Sequence, residues 1–186
     1  MLILASNSPR RKELLSMLGY EFVVKASDCD ENTDIKEPEL LVKELSLRKA
    51  RAVEANNEDT VIGSDTVVAI NGKILGKPKD EKDAAKMLKM LSGKTHTVYT
   101  GVTVLQKDTE ITKAVSCDVT FKEMTDVEIS NYIKTGEPMD KAGAYGIQGK
   151  GSAYIEKING DYFAVVGFPC CYVNNILNKL GIFPKN

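Results

Sequence analysis

Ile62-Gly63-Ser64-Asp65-Thr66 lies between two apolar runs, Thr60-Val61-Ile62 before it and Val67-Val68-Ala69-Ile70 after it. The pattern reads as one strand delivering the chain into a Gly-Ser-Asp-Thr tip and a second strand carrying it away. Aspartate is depleted in strands, and a carboxylate in or beside a buried sheet is costly unless it is paired or binds a metal. One reading makes Asp65 a strand-end acid that caps a turn. The other makes it a catalytic or metal-binding acid, and basic and polar clusters elsewhere in the chain, suited to bringing an anion to such a group, favour it.

The 186 residues suffice for one good-sized core. With 27% charged and 42% apolar residues and a formal net charge of −1, the composition is that of a soluble globular protein. It gives no global electrostatic reason to expect nucleic acid or an anionic membrane as partner. The opening Met-Leu-Ile-Leu-Ala is too short for a secretory signal, and no stretch approaches the roughly 20 apolar residues of a membrane span. A cytoplasmic location is expected. Cys29, Cys117, Cys170 and Cys171 show neither a C-x-x-C pair nor zinc spacing, so reduced, mostly structural thiols are expected. His96 is the only histidine, which gives a Ser-His or Cys-His triad poor support.

From the N-terminus, Leu2 to Ala5 reads as a short buried strand, followed by Ser6-Asn7-Ser8-Pro9-Arg10-Arg11 and a helix carrying Leu14, Leu15 and Leu18. Ser8 suits the N-cap and Pro9 the first helical position. Two arginines in the first turn oppose the helix dipole. An anionic ligand held by backbone N–H groups, serine hydroxyls and guanidinium forks would resolve that conflict; solvent exposure or pairing with nearby acids is the bland alternative. Glu21 to Lys25 reads as a second strand, and the acidic segment Ser27-Asp28-Cys29-Asp30-Glu31-Asn32 as a solvated loop able to offer a carboxylate to a divalent cation. A helix is expected from Glu37 to about Glu54, with Leu41, Leu45 and Val53 on one side and Lys49 beside them, snorkelling or pointing into a cleft.

Asn71-Gly72 is a strong hairpin signal, and Lys73, Lys77 and Lys79 precede a helix capped by Asp80 with Ala84, Met87, Leu88 and Leu91 on one face. Val98 to Leu105 and Val115 to Phe121 read as antiparallel strands, and Thr125 to Glu128 as a capping box. The segment from Gly136 to Gly149 is too glycine-rich for a regular element, and its Gln148 could present an amide to a base edge. Ala153 to Ile158 and Tyr162 to Val166 read as a hairpin about Asn159-Gly160, and a last helix carries Val173, Ile176, Leu177 and Leu180. No repeat, low-complexity tract or linker intervenes, so residues 1–186 are expected to form a single domain.

Six motifs, LASNSPRRKELLSMLG, LSLRKA, VIGSDTVV, LGKPKD, LSGKTHTVYTGV and GEPMDKAGAYGIQGKG, occur in this order over nearly the entire chain. In them the sequence resembles the Maf family. The resemblance implies a nucleoside triphosphate pyrophosphatase with an α/β fold similar to that of inosine triphosphatases: a mixed twisted sheet with flanking helices and two lobes around a cleft. It also implies a divalent metal, Mg²⁺ or Mn²⁺. By the same resemblance Asp65 is the general base and Glu31 a second catalytic carboxylate, both linked to the metal. Ser6, Arg10, Arg11, Lys49 and Lys77 match the phosphate-gripping positions, and Arg10, Thr66 and Gln148 match those associated with substrate choice. The form KTHTVYTGV with AGAYGIQG resembles the branch that prefers dTTP and UTP rather than 7-methyl-GTP. The ending DYFAVVGFPCCYVNN fits more loosely and leaves a homodimer contact open.

The expected reaction is hydrolysis between the α- and β-phosphates, releasing a nucleoside monophosphate and pyrophosphate. No stable nucleic-acid partner is expected. Two other classes stay open: a nucleotidyltransferase, whose usual glycine-dense opening loop is absent between Ala5 and Arg11, and a nucleotide-binding regulator, suggested by the family's association with inhibition of septum formation.

Overall fold

The computed structural model describes residues 1–26 and 28–185; Ser27, which opens the acidic segment, lies outside the described residues. Among those described, the elements run β1 (Leu2–Leu4), α1 (Pro9–Met17), β2 (Val23–Val24), α2 (Pro38–Arg51), β3 (Thr60–Ile70), β4 (Lys73–Leu75), α3 (Glu81–Leu91), β5 (Thr95–Gln106), β6 (Thr109–Phe121), α4 (Asp126–Lys134), β7 (Ile155–Gly160), α5 (Tyr162–Val166) and α6 (Cys170–Lys179). Seven described strands make one mixed sheet in the order β2-β1-β3-β5-β6-β7, with β4 paired to β3. β1 is parallel to β2 and β3, whereas β4 and β7 are antiparallel to β3 and β6. This is the mixed α/β architecture with flanking helices expected from the sequence. Among the described residues no helix is long and apolar enough to cross a membrane.

The chain divides into two compact units. The first comprises Met1–Asp65, Thr100–Val115 and Gly167–Asn186, and the second Thr66–Tyr99 and Ser116–Val166. In the first, Ile3, Ala5, Ala50, Val53 and Val61 form a buried cluster. In the second, the core gathers Val68, Leu88, Leu91, Phe121, Tyr132 and Tyr145 with their neighbours.

The expected break at Asp65 is absent: β3 is one continuous strand from Thr60 to Ile70, buried along nearly its whole length. The carboxylate stays in the strand because a helix supplies its partner, as described below. The expected hairpin from Ala153 to Val166 is also corrected. β7 pairs with β6, and Tyr162–Val166 is helical, because Asp161 Oδ1 accepts the N–H groups of Phe163 at 2.8 Å and Ala164 at 3.3 Å and so starts a helix. The glycine-rich segment contains short 3₁₀ turns at Glu137–Asp140 and Ala142–Ala144, with another at Lys150–Tyr154. α2 stops at Arg51 instead of Glu54. The Asn71-Gly72 turn, with φ of 51° and 72°, joins β3 to β4, the Asp80 cap opens α3, and Thr125 and Glu128 form the capping box of α4.

α2 lies against the sheet at two glycines. A Cβ on Gly63 of β3 would come within 2.2 Å of the Ser46 carbonyl oxygen and 2.7 Å of the Ala50 nitrogen. One on Gly101 of β5 would lie 2.0 Å from the Val42 carbonyl oxygen. Helix backbone therefore rests on strand backbone, closer than any side chain permits. A hydroxyl chain closes the same seam: Ser46 Oγ donates to the Lys43 carbonyl at 2.9 Å, Thr103 bonds Ser46 at 3.0 Å, and Thr112 bonds Thr103 at 2.9 Å. Each hydroxyl has one proton to give, so the donation runs from Thr112 through Thr103 to Ser46. Gly63→Ala is expected to lower stability by roughly 1–3 kcal/mol, the usual cost of overpacking, read as a lower urea midpoint; an unchanged midpoint would mean that the helix has room to retreat.

In the second unit, His96 is buried on β5, with Nε2 2.7 Å from the Tyr145 hydroxyl and its ring edge-on to Phe121. Burial pulls its imidazole down from 6.5 to about 4, with Asp118 pulling the other way. The unfolded chain takes up this proton near pH 6.5 and the folded chain resists until about 4, so stability present above pH 6.5 is lost as the pH falls through that window. His96→Gln should therefore lose its disadvantage relative to the native chain on acidification from pH 7 to 4 in denaturant titrations. A difference that stays constant over that range would contradict this.

Candidate active site

α2 brings Lys49 onto Asp65. Gly63 and Asp65 share one face of β3, two residues apart; where Gly63 admits the helix backbone, Asp65 meets the residue just before Ala50. Lys49 Nζ donates to Asp65 Oδ1 at 2.5 Å and lies 3.1 Å from Glu31 Oε1. The Asp65 and Lys49 side chains are only 10% and 13% exposed, whereas Glu31 is 57% exposed. A buried acid, a half-buried ammonium and a solvent-facing acid therefore meet at one point.

Arg48, the residue before Lys49, holds the loop that carries Glu31. Its Nη1 donates to the carbonyls of Asp30 at 3.1 Å and Asn32 at 2.9 Å, on either side of Glu31. Its Nε is tied to Glu44 at 2.6 Å, one turn back on α2. Sequence reasoning passed over Arg48, although LSLRKA carries it. Cys29 sits in the same field: burial raises its thiol pKa, with the Lys49 ammonium pulling it down and the Glu31 carboxylate adding to the rise.

The start of α1 adds a further set of polar groups. Ser8 stands at the N-cap without a side-chain cap, and no acid lies in the first turn. Ser6 Oγ, buried, accepts the Ser8 N–H at 3.2 Å and Arg11 Nη1 at 3.3 Å. Arg11 Nε donates to the Gly167 carbonyl at 3.0 Å, which also accepts the Ser64 hydroxyl at 3.2 Å. Arg11 is thus half-buried and oriented by protein groups rather than simply solvated. Burial pulls its guanidinium below the usual value, the Asp65 carboxylate opposes that fall, Arg10 adds to it and Glu31 opposes it. Arg11 thus lies within electrostatic reach of both acids.

Ser6, Arg11, Glu31, Lys49 and Asp65 are linked by these contacts and charges within the first unit, and Arg10 precedes Arg11 in the first turn of α1. Thr66 follows Asp65 on β3 and opens the second unit. Lys77 is exposed between β4 and α3, and Gln148 is exposed in the turn before Lys150–Tyr154; both also belong to the second unit. In the sequence Gly63 reads as part of a turn tip, and nothing marks Gly101 as a seat for helix backbone. A small residue opposite a helix shows itself only once the helix is docked.

Asp65 and Glu31 offer hard carboxylate oxygens around one ammonium. Among the described residues no group of three or more His, Cys, Asp or Glu side chains is gathered to cage an ion. A donor set of two carboxylates suits Mg²⁺ or Mn²⁺ that completes its shell with phosphate oxygens and water, and in that sense the residues fit such a cation.

Residues 1–180 match the family described as Maf-like protein. The chain belongs to the Maf-like family. This Maf-like chain is 51% identical over 185 residues to the dTTP/UTP pyrophosphatase of Bacillus pumilus (strain SAFR-032), covering 98% of each. It is 52% identical over 169 residues to the dTTP/UTP pyrophosphatase of Thermococcus onnurineus (strain NA1), covering 91% of this chain and 92% of that one. It is also similar to the solved structure of the Staphylococcus aureus Ham1 protein, with a TM-score of 0.45 and 19% identity over 67% of this chain and 72% of that one, a likeness too slight to fix the fold.

Removing one member of the Lys49–Asp65 pair should be worse than removing both. Lys49→Met leaves the Asp65 carboxylate without its ammonium and is expected to cost roughly 3 kcal/mol in urea unfolding. Adding Asp65→Asn should return most of that loss. Additive losses would show that the two side chains do not stabilise each other.

Proposed function

We propose that this Maf-like chain hydrolyses nucleoside triphosphates, dTTP and UTP foremost, to the nucleoside monophosphate and pyrophosphate, with residues 1–186 acting as one domain in the cytoplasm. The single observation that carries this reading is the Lys49–Asp65–Glu31 cluster, a buried carboxylate held in mid-strand by a lysine beside a positively charged helix start. The names of the relatives from Bacillus pumilus and Thermococcus onnurineus support the substrate. The free cysteines fit a reducing compartment.

Cleavage of the α–β phosphoanhydride is opposed by charge repulsion and by the weakness of water as a nucleophile. Arg10, Arg11, Ser6 and Lys77 bind phosphate oxygens, and the ties of Arg11 to Gly167 and Ser6 set its fork before the substrate arrives. Lys49 starts on Asp65. Incoming phosphates compete for its ammonium, and as it turns to them the Asp65 carboxylate is released to accept a proton from the attacking water. Asp65 and Glu31 would hold a divalent cation, which supplies charge neutralisation and acidifies water when bound. Arg10, Thr66 and Gln148 select the base. The inosine-triphosphatase-like arrangement implied by the sequence forms part of this proposal.

Asp65→Asn keeps the shape of the side chain but not its basicity. Turnover should fall roughly 10²–10⁴-fold, the usual worth of general acid–base catalysis, while calorimetry with a non-hydrolysable dTTP analogue still shows binding. Near-native pyrophosphate release from this variant would remove Asp65 from the role.

A further inference from the structure

One pair of side chains pins the Gln148 turn at both ends. Gly149 N–H donates to the Gly146 carbonyl at 3.4 Å, so residues 146–149 form a turn with Ile147 and Gln148 at its corner. Before the corner, the Gly146 N–H donates to the Tyr132 hydroxyl oxygen at 3.0 Å. After it, the N–H groups of Lys150 and Gly151 donate to Glu137 Oε2 at 2.9 Å and Oε1 at 3.0 Å. The Tyr132 hydroxyl donates to Glu137 Oε1 at 2.8 Å, which joins the two anchors.

The backbone is wrapped as tightly as glycine allows. A Cβ on Gly149 would lie 2.4 Å from Glu137 Oε2, and one on Gly151 2.6 Å from the Tyr132 hydroxyl. Tyr132 is itself buried in the core, so the anchor is fixed to the body of the unit. Burial raises the Glu137 carboxyl, but the Gly151, Lys150 and Tyr132 hydrogen bonds and the nearby Lys141 ammonium outweigh it and hold the group below its usual value. The carboxylate is therefore ionised at neutral pH, and its hydrogen bonds are of the strong, charge-assisted kind.

A side-chain amide reads a base edge only when its backbone is held within about 0.5 Å of the productive position. We propose that Glu137, joined to Tyr132, is the positioning residue that fixes the Gln148 turn and thereby sets the preference for pyrimidine over purine nucleoside triphosphates. The inference rests on the reading of Gln148 as the base-recognising amide and extends it to a carboxylate assigned no role by the motif that contains it. Neither Glu137 nor Tyr132 needs to touch the nucleotide. Gln148 has its place because the chain on either side of it does.

Glu137→Gln is nearly isosteric, yet its amide nitrogen would face a backbone N–H where an oxygen now accepts one. The preference for dTTP over GTP, measured as the ratio of kcat/KM values, should shrink roughly tenfold, in line with the loss of a charge-assisted hydrogen bond, and mainly through KM for dTTP. Amide hydrogen exchange across residues 146–151 should accelerate. In a Gln148→Ala background the same substitution should leave the ratio unchanged. If Gln148→Ala alters the ratio but Glu137→Gln does not, or if the two losses simply multiply, the pinning is overturned. If Gln148→Ala itself leaves the ratio unchanged, base recognition by Gln148 and the selectivity role of Glu137 both fall. Should Glu137→Gln not fold, Tyr132→Phe removes the Gly146 anchor and the hydroxyl's bond to Glu137 while leaving the Lys150 and Gly151 bonds to the carboxylate, and should shift the ratio in the same direction; an unshifted ratio there overturns the proposal.

Discussion

The descent of α2 onto bare backbone at Gly63 and Gly101 governs the geometry of the first unit. A helix packed over side chains would stand farther from the sheet, and a lysine on it would reach Asp65 only at the end of a loosely held stem. With the backbones in contact, Lys49 arrives with its ammonium on the Asp65 carboxylate, and an acid that the interior of a strand would otherwise exclude is retained there. The hydroxyl chain from Thr112 to Ser46 satisfies the polar groups in the same seam without widening it. Arg48 extends the arrangement outward, since the helix that seats Lys49 also holds the loop bearing Glu31.

The resting charges of the cluster are balanced within the protein. The Lys49 ammonium and the Arg11 guanidinium together offset the Asp65 and Glu31 carboxylates, and the hydrogen bonds of Arg11 to the Gly167 carbonyl and the Ser6 hydroxyl are to neutral acceptors. In the proposed reaction such a site would have little to reorganise: an ammonium would change partners and a preset guanidinium fork would be met. In the second unit the logic is similar but the ligand is backbone. Glu137 gives its oxygens to N–H groups of a glycine-rich segment that has no regular ladder to satisfy them.

Local chemistry was readable in the sequence wherever one residue carried its own signal. The Asp80 and Thr125 caps, the Asn71-Gly72 turn and the apolar faces of α3 and α6 follow from short-range rules and stand where those rules put them. Asp65 stands out in the sequence because a carboxylate conflicts with a buried strand, yet the same conflict suggests a strand break. The partner that resolves it sits 16 residues away on α2, and strand propensity carries no knowledge of such a partner. The segment Tyr162–Val166 failed for the opposite reason: its β-branched and aromatic residues look like a strand, while Asp161 starts a helix. Gly63, Gly101 and Gly167 matter only through what lies across from them, and the sequence by itself does not say what that is.

The reaction is tested most simply by the products formed from dTTP by the whole chain, followed by ³¹P NMR with Mg²⁺ or Mn²⁺ and with a chelator. Cleavage between the α- and β-phosphates yields one pyrophosphate and one dTMP for each dTTP consumed, with no orthophosphate, and no reaction is expected when the cation is removed. Release of orthophosphate and dTDP, or turnover that ignores the chelator, would contradict the proposed reaction.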